Sequence, residues 1–248
     1  MTRTTSILAA AALLLLTGGG LAACATPSGS GASSETSAAS PSSETSAPVD
    51  ADIDAAWLSG GTMIAVLTRG SSTCVPVASD VAFADGVLSV ELADPPADQA
   101  CTRDFVLRAF AVVVPEGVDP AEDIEIAVSG SEASGSVELA GVAGLVPSDG
   151  VQDGGVPTAG WSTADGVFAL LTWGSSGCPP VVQDALVSAP GEITATLAES
   201  PADRICTSDF APRVTLGEVP GIESGTAYEL VLQGDGIEGT RVPIAGVN

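Results

Sequence analysis

The sequence predicts an all-β protein: two tandem small antiparallel β-sandwich or barrel-like domains, one disulfide each. Three observations lead there. First, Gly70-Ser71-Ser72-Thr73-Cys74-Val75-Pro76 and Cys101-Thr102-Arg103-Asp104-Phe105 return as Gly174-Ser175-Ser176-Gly177-Cys178-Pro179-Pro180 and Cys206-Thr207-Ser208-Asp209-Phe210. Second, Trp57/Trp161 and Thr68/Thr172 stand 104 residues apart, and Leu92/Leu197, Arg108/Arg213 and Gly141/Gly246 stand 105 apart. Third, apolar residues inside each copy recur with a period of two, the period of a strand, rather than 3.6.

The chain opens with one positive charge in Met1-Thr2-Arg3. Residues 7–16 are apolar, too short a run to span a bilayer. Thr17-Gly18-Gly19-Gly20 breaks the run and Leu21-Ala22-Ala23-Cys24 follows, so residues 1–23 read as an export signal. The Leu-Ala-Ala-Cys ending resembles the lipobox of bacterial lipoproteins. That resemblance implies that Cys24 takes a diacylglyceryl thioether and becomes the mature N-terminus, anchoring the chain to the outer face of the cell membrane.

Five cysteines are an odd number for an exported chain. Giving Cys24 to lipid leaves four, in two matched pairs. Four cysteines allow three pairings; the duplication selects Cys74–Cys101 and Cys178–Cys206, because each copy carries its own bridge. An oxidising compartment lets them form. By the loop-closure argument each contributes ~3.6 kcal/mol.

Residues 24–52 are rich in Ser, Thr, Ala, Gly and Pro, and Ser33-Ser34-Glu35-Thr36-Ser37-Ala38 recurs at 42–47. Such a segment cannot bury enough surface to offset its ordering entropy. It reads as a flexible tether with a reach of about 30 Å.

The first β domain covers 53–143, a Gly-, Pro- and Asp-rich linker covers 144–157, and the second covers 158–248. Residues 63–68 and 167–172 are apolar on both faces, which places them mid-sheet or under the contact between copies. Asp85-Gly86 marks a hairpin, with Pro190-Gly191 in its place in the second copy. Leu88, Val90 and Leu92 alternate with polar residues, as do Ile193, Ala195 and Leu197. Phe210, Val214 and Leu216 alternate with Arg213 and Thr215, the pattern of a strand with one wet face.

The repeated elements are similar to those of a set of secreted or lipid-anchored proteins from high-G+C Gram-positive bacteria, which carry Gly-Ser-Ser-Xaa-Cys-Pro followed by Cys-Thr-Xaa-Asp. Copy 1 departs from the pattern at Val75. The resemblance implies no catalytic residue.

Charge and composition exclude several functions. Against 31 acidic residues stand seven Arg and no Lys, a formal charge of −24. Such a surface repels nucleic acid and anionic lipid headgroups. With no His in the chain, neither a Ser-His or Cys-His nucleophile pair nor an imidazole-based metal site can be built. Asp50, Asp52 and Asp54 begin like a calcium loop, but Ala55 and Gly61 stand where its Gly and Glu are required. No catalytic residue, metal or cofactor is expected.

The polar candidates for facing a ligand are Asp104 with Arg108 and their counterparts Asp209 with Arg213; a structural role in turn and strand competes with that reading. Trp173 is the aromatic candidate, because Arg69 takes its place in copy 1. The expected function is a non-catalytic binding or structural role in the cell envelope, toward an extracellular protein or wall polymer. Two alternatives remain: a hydrolase using two carboxylates between the copies, and a proteinase inhibitor presenting residues 70–76.

Overall fold

A computed structural model describes residues 52–147 and 154–248. The export signal, Cys24, the tether up to residue 51 and the middle of the linker lie outside the described residues. Copy 1 runs β1 (Asp54–Leu58), a short 3-10 turn (Ser59–Gly61), β2 (Met63–Gly70), β3 (Ala78–Ala84), β4 (Val87–Leu92), β5 (Val106–Val113), β6 (Ile124–Ser129) and β7 (Gly135–Leu139). Copy 2 repeats the order as β8 (Thr158–Trp161), β9 (Val167–Gly174), β10 (Val182–Ala189), β11 (Glu192–Leu197), β12 (Ala211–Glu218), β13 (Glu229–Gln233) and β14 (Arg241–Ala245). The fold is all-β, as the period-two patterning requires.

In copy 1 the sheet β1-β2-β5 faces the sheet β3-β4-β6-β7; in copy 2 the matching sets, β8-β9-β12 and β10-β11-β13-β14, are joined through β8 and β14 into one seven-stranded sheet. Each facing pair encloses a core. Ile64, Val66, Leu88, Val90 and Ile126 fill the first, and Phe168, Leu170, Ile193, Leu230 and Leu232 the second. The hairpins fall where the turn residues put them. Asp85 and Gly86 both take positive φ between β3 and β4, and Gly191 does so between β10 and β11.

Two expectations need correction. The strands are not all antiparallel: β4 pairs with β6, and β11 with β13, in parallel. Between each such pair the chain crosses to the opposite sheet as β5 or β12 and returns, so it comes back in the direction in which it left. Nor is the Arg213 and Thr215 face of β12 wet: with Gly217 it turns into the copy's own sandwich, toward Phe168, and its opposite face is covered too. Ala56, Leu58, Met63, Ala65, Leu67, Val167, Ala169 and Leu171 form a third core, with Leu107, Ala109, Val214 and Leu216 packed against it. The copies therefore bury the outer faces of β1-β2-β5 and β8-β9-β12 against each other, which makes β2 and β9 apolar on both sides. The described residues of the two repeats belong to a single compact unit.

Hydrogen bonds across this contact show its symmetry. Thr163 N–H donates to Ala55 O (3.0 Å), and Ser59 N–H donates to Thr158 Oγ1 (3.0 Å). With the repeat offset of 104, these two contacts are nearly images of one another, and they run antiparallel. Equivalent strands of the two copies thus point in opposite directions about an approximate twofold axis, and the two disulfides lie at opposite ends. The approach is close at Gly160, the counterpart of Ala56. A Cβ there would sit 2.1 Å from Trp57 O, so only glycine fits.

Candidate functional site

Both disulfides pair as the duplication requires, Cys74 with Cys101 and Cys178 with Cys206, with Cα–Cα distances of 5.6 and 5.5 Å. Each ties the loop after the central strand (β2 or β9) to the loop that enters the edge strand (β5 or β12). Two formed disulfides fit an oxidising, extracellular environment. Among the described residues, no helix is long and apolar enough to cross a membrane.

The repeated motif proves to be a brace for these corners. Asp104 accepts hydrogen bonds from Ser72 N–H (3.1 Å) and from the Thr102 hydroxyl. Asp209 accepts the same bonds from Ser176 N–H (3.1 Å) and the Thr207 hydroxyl. Bonds from the Ser72 hydroxyl, the Thr102 hydroxyl and the Ser72 amide hold the exposed Asp104 carboxyl down from 3.8 to about 2. Ser176 and Thr207 do the same for Asp209, again to about 2. Cys74 N–H donates to Ser71 O, closing residues 71–74 into a tight turn.

The arginines of the candidate pairs turn inward rather than toward solvent. Arg108 is 6% exposed. Its Nε–H donates to Thr68 Oγ1 (3.3 Å), its Nη1–H to the carbonyls of Ser71 and Cys74, and its Nη2–H to Glu132 Oε2 (3.2 Å). Gly70 makes room for this side chain; a Cβ there would lie 2.5 Å from the guanidinium. The ion pair that Arg108 makes is with Glu132, not with Asp104.

Copy 2 keeps the arginine and loses the acid. Arg213 donates through Nη1 to Cys178 O and through Nη2 to Trp173 O, both at 3.0 Å. Burial lowers its pKa, and the charge of Asp235 partly offsets that shift. Strand register explains the missing partner. Leu88 pairs with Ile126 and its counterpart Ile193 with Leu230, so the repeat offset slips back to 104 across β6 and β13. Gly236 then stands where copy 1 has Glu132. Arg213 Nε and Thr172 Oγ1, whose counterparts bond each other in copy 1, are buried without partners.

Trp173 is half-buried and stacks on Phe210, with ring centroids 5.8 Å apart; its Nε1 is also buried and unpartnered. Arg69, in the same place in copy 1, is exposed. Trp57 and Trp161 belong to the two cores, and both also line a cleft of about 380 Å³ between the copies. Ala140, Gly141 and Val142 and their counterparts Ala245, Gly246 and Val247 complete most of its wall. Matched residues on both sides place the cleft on the approximate twofold axis. Trp57 and Ala245 separate it from a second cleft of about 360 Å³ bounded by linker residues. No acidic or basic side chain lines either one.

Here too the copies differ. Trp57 Nε1–H donates to Ala140 O (2.9 Å). In copy 2 the corresponding Ala245 is drawn into a parallel bridge with Gly160, and Trp161 packs edge-on against Phe168 and Tyr228. Trp161 Nε1 is left buried with no partner. A buried donor in that state costs about 1–3 kcal/mol. All four such atoms among the described residues lie in copy 2.

Sequence reasoning missed Glu132 and the cleft. Glu132 lies where the repeat alignment slips, and the cleft is built from small residues that carry no chemical signal of their own. No family model, curated protein or solved structure matches the chain.

Proposed function

We propose that the protein is a lipid-anchored component of the cell envelope that acts by binding rather than by catalysis. Cys24 carries the lipid, residues 25–52 form the tether, and the two-copy unit is displayed beyond the membrane to an extracellular protein or wall polymer. The observation that carries the non-catalytic reading is the uncharged lining of the clefts between the copies. Glycoside hydrolysis needs two carboxylates across a cleft, one of them with a raised pKa. Here the acids whose pKa moves, Asp104, Glu192 and Asp209, all move downward. The repeated Asp and Arg residues are engaged in bracing the disulfide corners, and the tight turn at 71–74 weighs against a proteinase-inhibiting loop.

The test has two arms. Labelling cells with an alkyne fatty acid is expected to mark the wild-type chain and not Cys24→Ala, which an unmodified thiol at position 24 would overturn. Purified wall material is expected to retain the full chain without being degraded. Release of reducing sugar, abolished by substituting an Asp or Glu, would replace binding with hydrolysis.

A further inference from the structure

We propose that the disulfide corner of copy 2 binds a single carboxylate group of a wall polymer, held by Arg213 and Arg204 in the place that Glu132 fills in copy 1. The inference rests on the binding role above and adds the site and the chemistry of its ligand. In copy 1 the Glu132 carboxylate meets Arg108 Nη2 at 3.2 Å. Copy 2 seats its guanidinium the same way. In both copies Nη1 donates to the carbonyl of the bridged cysteine, and a glycine, Gly70 or Gly174, leaves room for the side chain. Gly236 stands where Glu132 does; it is exposed, and a Cβ on it would meet nothing within 4 Å. The space of the missing side chain is therefore open, and Arg213 is half-buried where Arg108 is buried.

The second observation points to an anion. In copy 1 Gln99 and Glu132 line one small groove of about 110 Å³ beside the bridge. At the offset of Arg108/Arg213, Arg204 replaces Gln99. Copy 2 thus loses a negative charge at this corner and gains a positive one. Arg204 Nη2 donates to Gly177 O (3.2 Å) and Arg213 Nη1 to Cys178 O (3.0 Å), so adjacent carbonyls of one loop gather the two cations. Among the described residues neither arginine has an ion-pair partner. Two nearby acids are tied to backbone: Asp235 accepts Ser200 N–H (3.2 Å), and Glu199 accepts Asp235 N–H (3.1 Å). These acids and the charge of −24 disfavour a polyanion, whereas one carboxylate matches the fork of a guanidinium. So small a groove suits a group on a polymer rather than a folded protein, whose interfaces cover roughly 800 Å² per partner.

The probe is acetate, titrated by nuclear magnetic resonance against the isotope-labelled full chain at constant ionic strength, with acetamide as the uncharged reference. Saturable shifts of the Gly236 amide and of the Arg204 and Arg213 Nε–H signals are expected with acetate, in the millimolar range, and not with acetamide. Arg213→Met, its fold checked by a circular-dichroism melt, is expected to weaken acetate about tenfold. Arg204→Gln, an exposed change to the residue of copy 1, should weaken it about threefold. Purified wall material is expected to lose its hold on the full chain once its carboxyls are converted to amides.

Absence of saturable acetate shifts overturns the site, as do equal shifts with acetamide or undiminished acetate binding by either variant. Retention by amidated wall as firmly as by native wall removes the carboxylate from the wall contact and leaves the binding role standing; retention by neither overturns that role.

Discussion

At the disulfide corner of copy 1, Arg108 reaches two loop carbonyls, a threonine and a glutamate. At the matching corner of copy 2, Arg213 hydrogen-bonds two carbonyls and no side chain. The cause is one residue of slippage that replaces Glu132 with Gly236 while leaving the corner's backbone intact. Beside the twofold axis the contrast repeats, with Trp57 satisfied and Trp161 not. A duplicated fold can thus keep its scaffold in both halves while one half completes its polar bonds and the other leaves them open. In this molecule copy 1 is the closed half and copy 2 the open one.

The largest expected effect separates the two corners. The bridges close loops of nearly equal length, with sequence separations of 27 and 28, so the loop-closure contribution is about the same, ~3.6 kcal/mol each. Cys178→Ser/Cys206→Ser is expected to destabilise more than Cys74→Ser/Cys101→Ser, because Arg108 and Glu132 still clamp the opened loop in copy 1. Denaturant melts of the full chain measure both, and equal losses would show that the arginine network holds nothing.

Next comes the contact between copies. Gly160→Ala places a methyl against Trp57 O and is expected to cost about 3 kcal/mol by overpacking against backbone. Ala56→Gly, the reverse change at the equivalent site, should cost roughly 1 kcal/mol. Similar costs for the two would mean that the close approach is not confined to one side.

Glu132→Ala gives copy 1 the polar deficit of copy 2. It leaves Arg108 buried without an acid and is expected to cost about 2 kcal/mol, below the range for fully buried pairs because the Glu132 side chain is 24% exposed. Removing Arg213 by Arg213→Met should cost less than Arg108→Met, since only the latter strands a carboxylate. Calorimetric melts rank these variants.

The smallest effect is shared by both halves. Asp104 and Asp209 titrate at about 2 when folded and take protons more readily when unfolded. Their stabilisation is therefore complete above about pH 5 and is lost as the pH falls through 4 toward 2. Asp104→Asn and Asp209→Asn should each remove part of that acid-side slope, and to the same extent. Melting temperatures between pH 7 and pH 2 test this, and a one-sided effect would end the equivalence of the two corners.

Much of this was legible before any coordinates. The alternation in 88–92 and 193–197, the Asp85-Gly86 turn and the matched Cys pairs act over a few residues or repeat as a unit, so fold class, hairpin and bridges followed from them. The double-sided burial of 63–68 and 167–172 was legible for the same reason. The direction of the arginines was not. In a strand, alternation says that Arg108 and Leu107 face opposite ways, but not which way is inside; here the face that looked wet turns into the copy's own sandwich, while the other copy covers the face of Leu107, Val214 and Leu216.

The amino-acid order by itself determined two stapled β copies, because strand period, turn chemistry and duplication are local properties of the chain. Tertiary structure alone decided that the copies share a core about a twofold axis, that Glu132 rather than Asp104 meets Arg108, and that Trp161 borders a cleft without an acceptor. Those outcomes depend on which surfaces meet across a hundred residues of chain, where packing and strand register choose the neighbours.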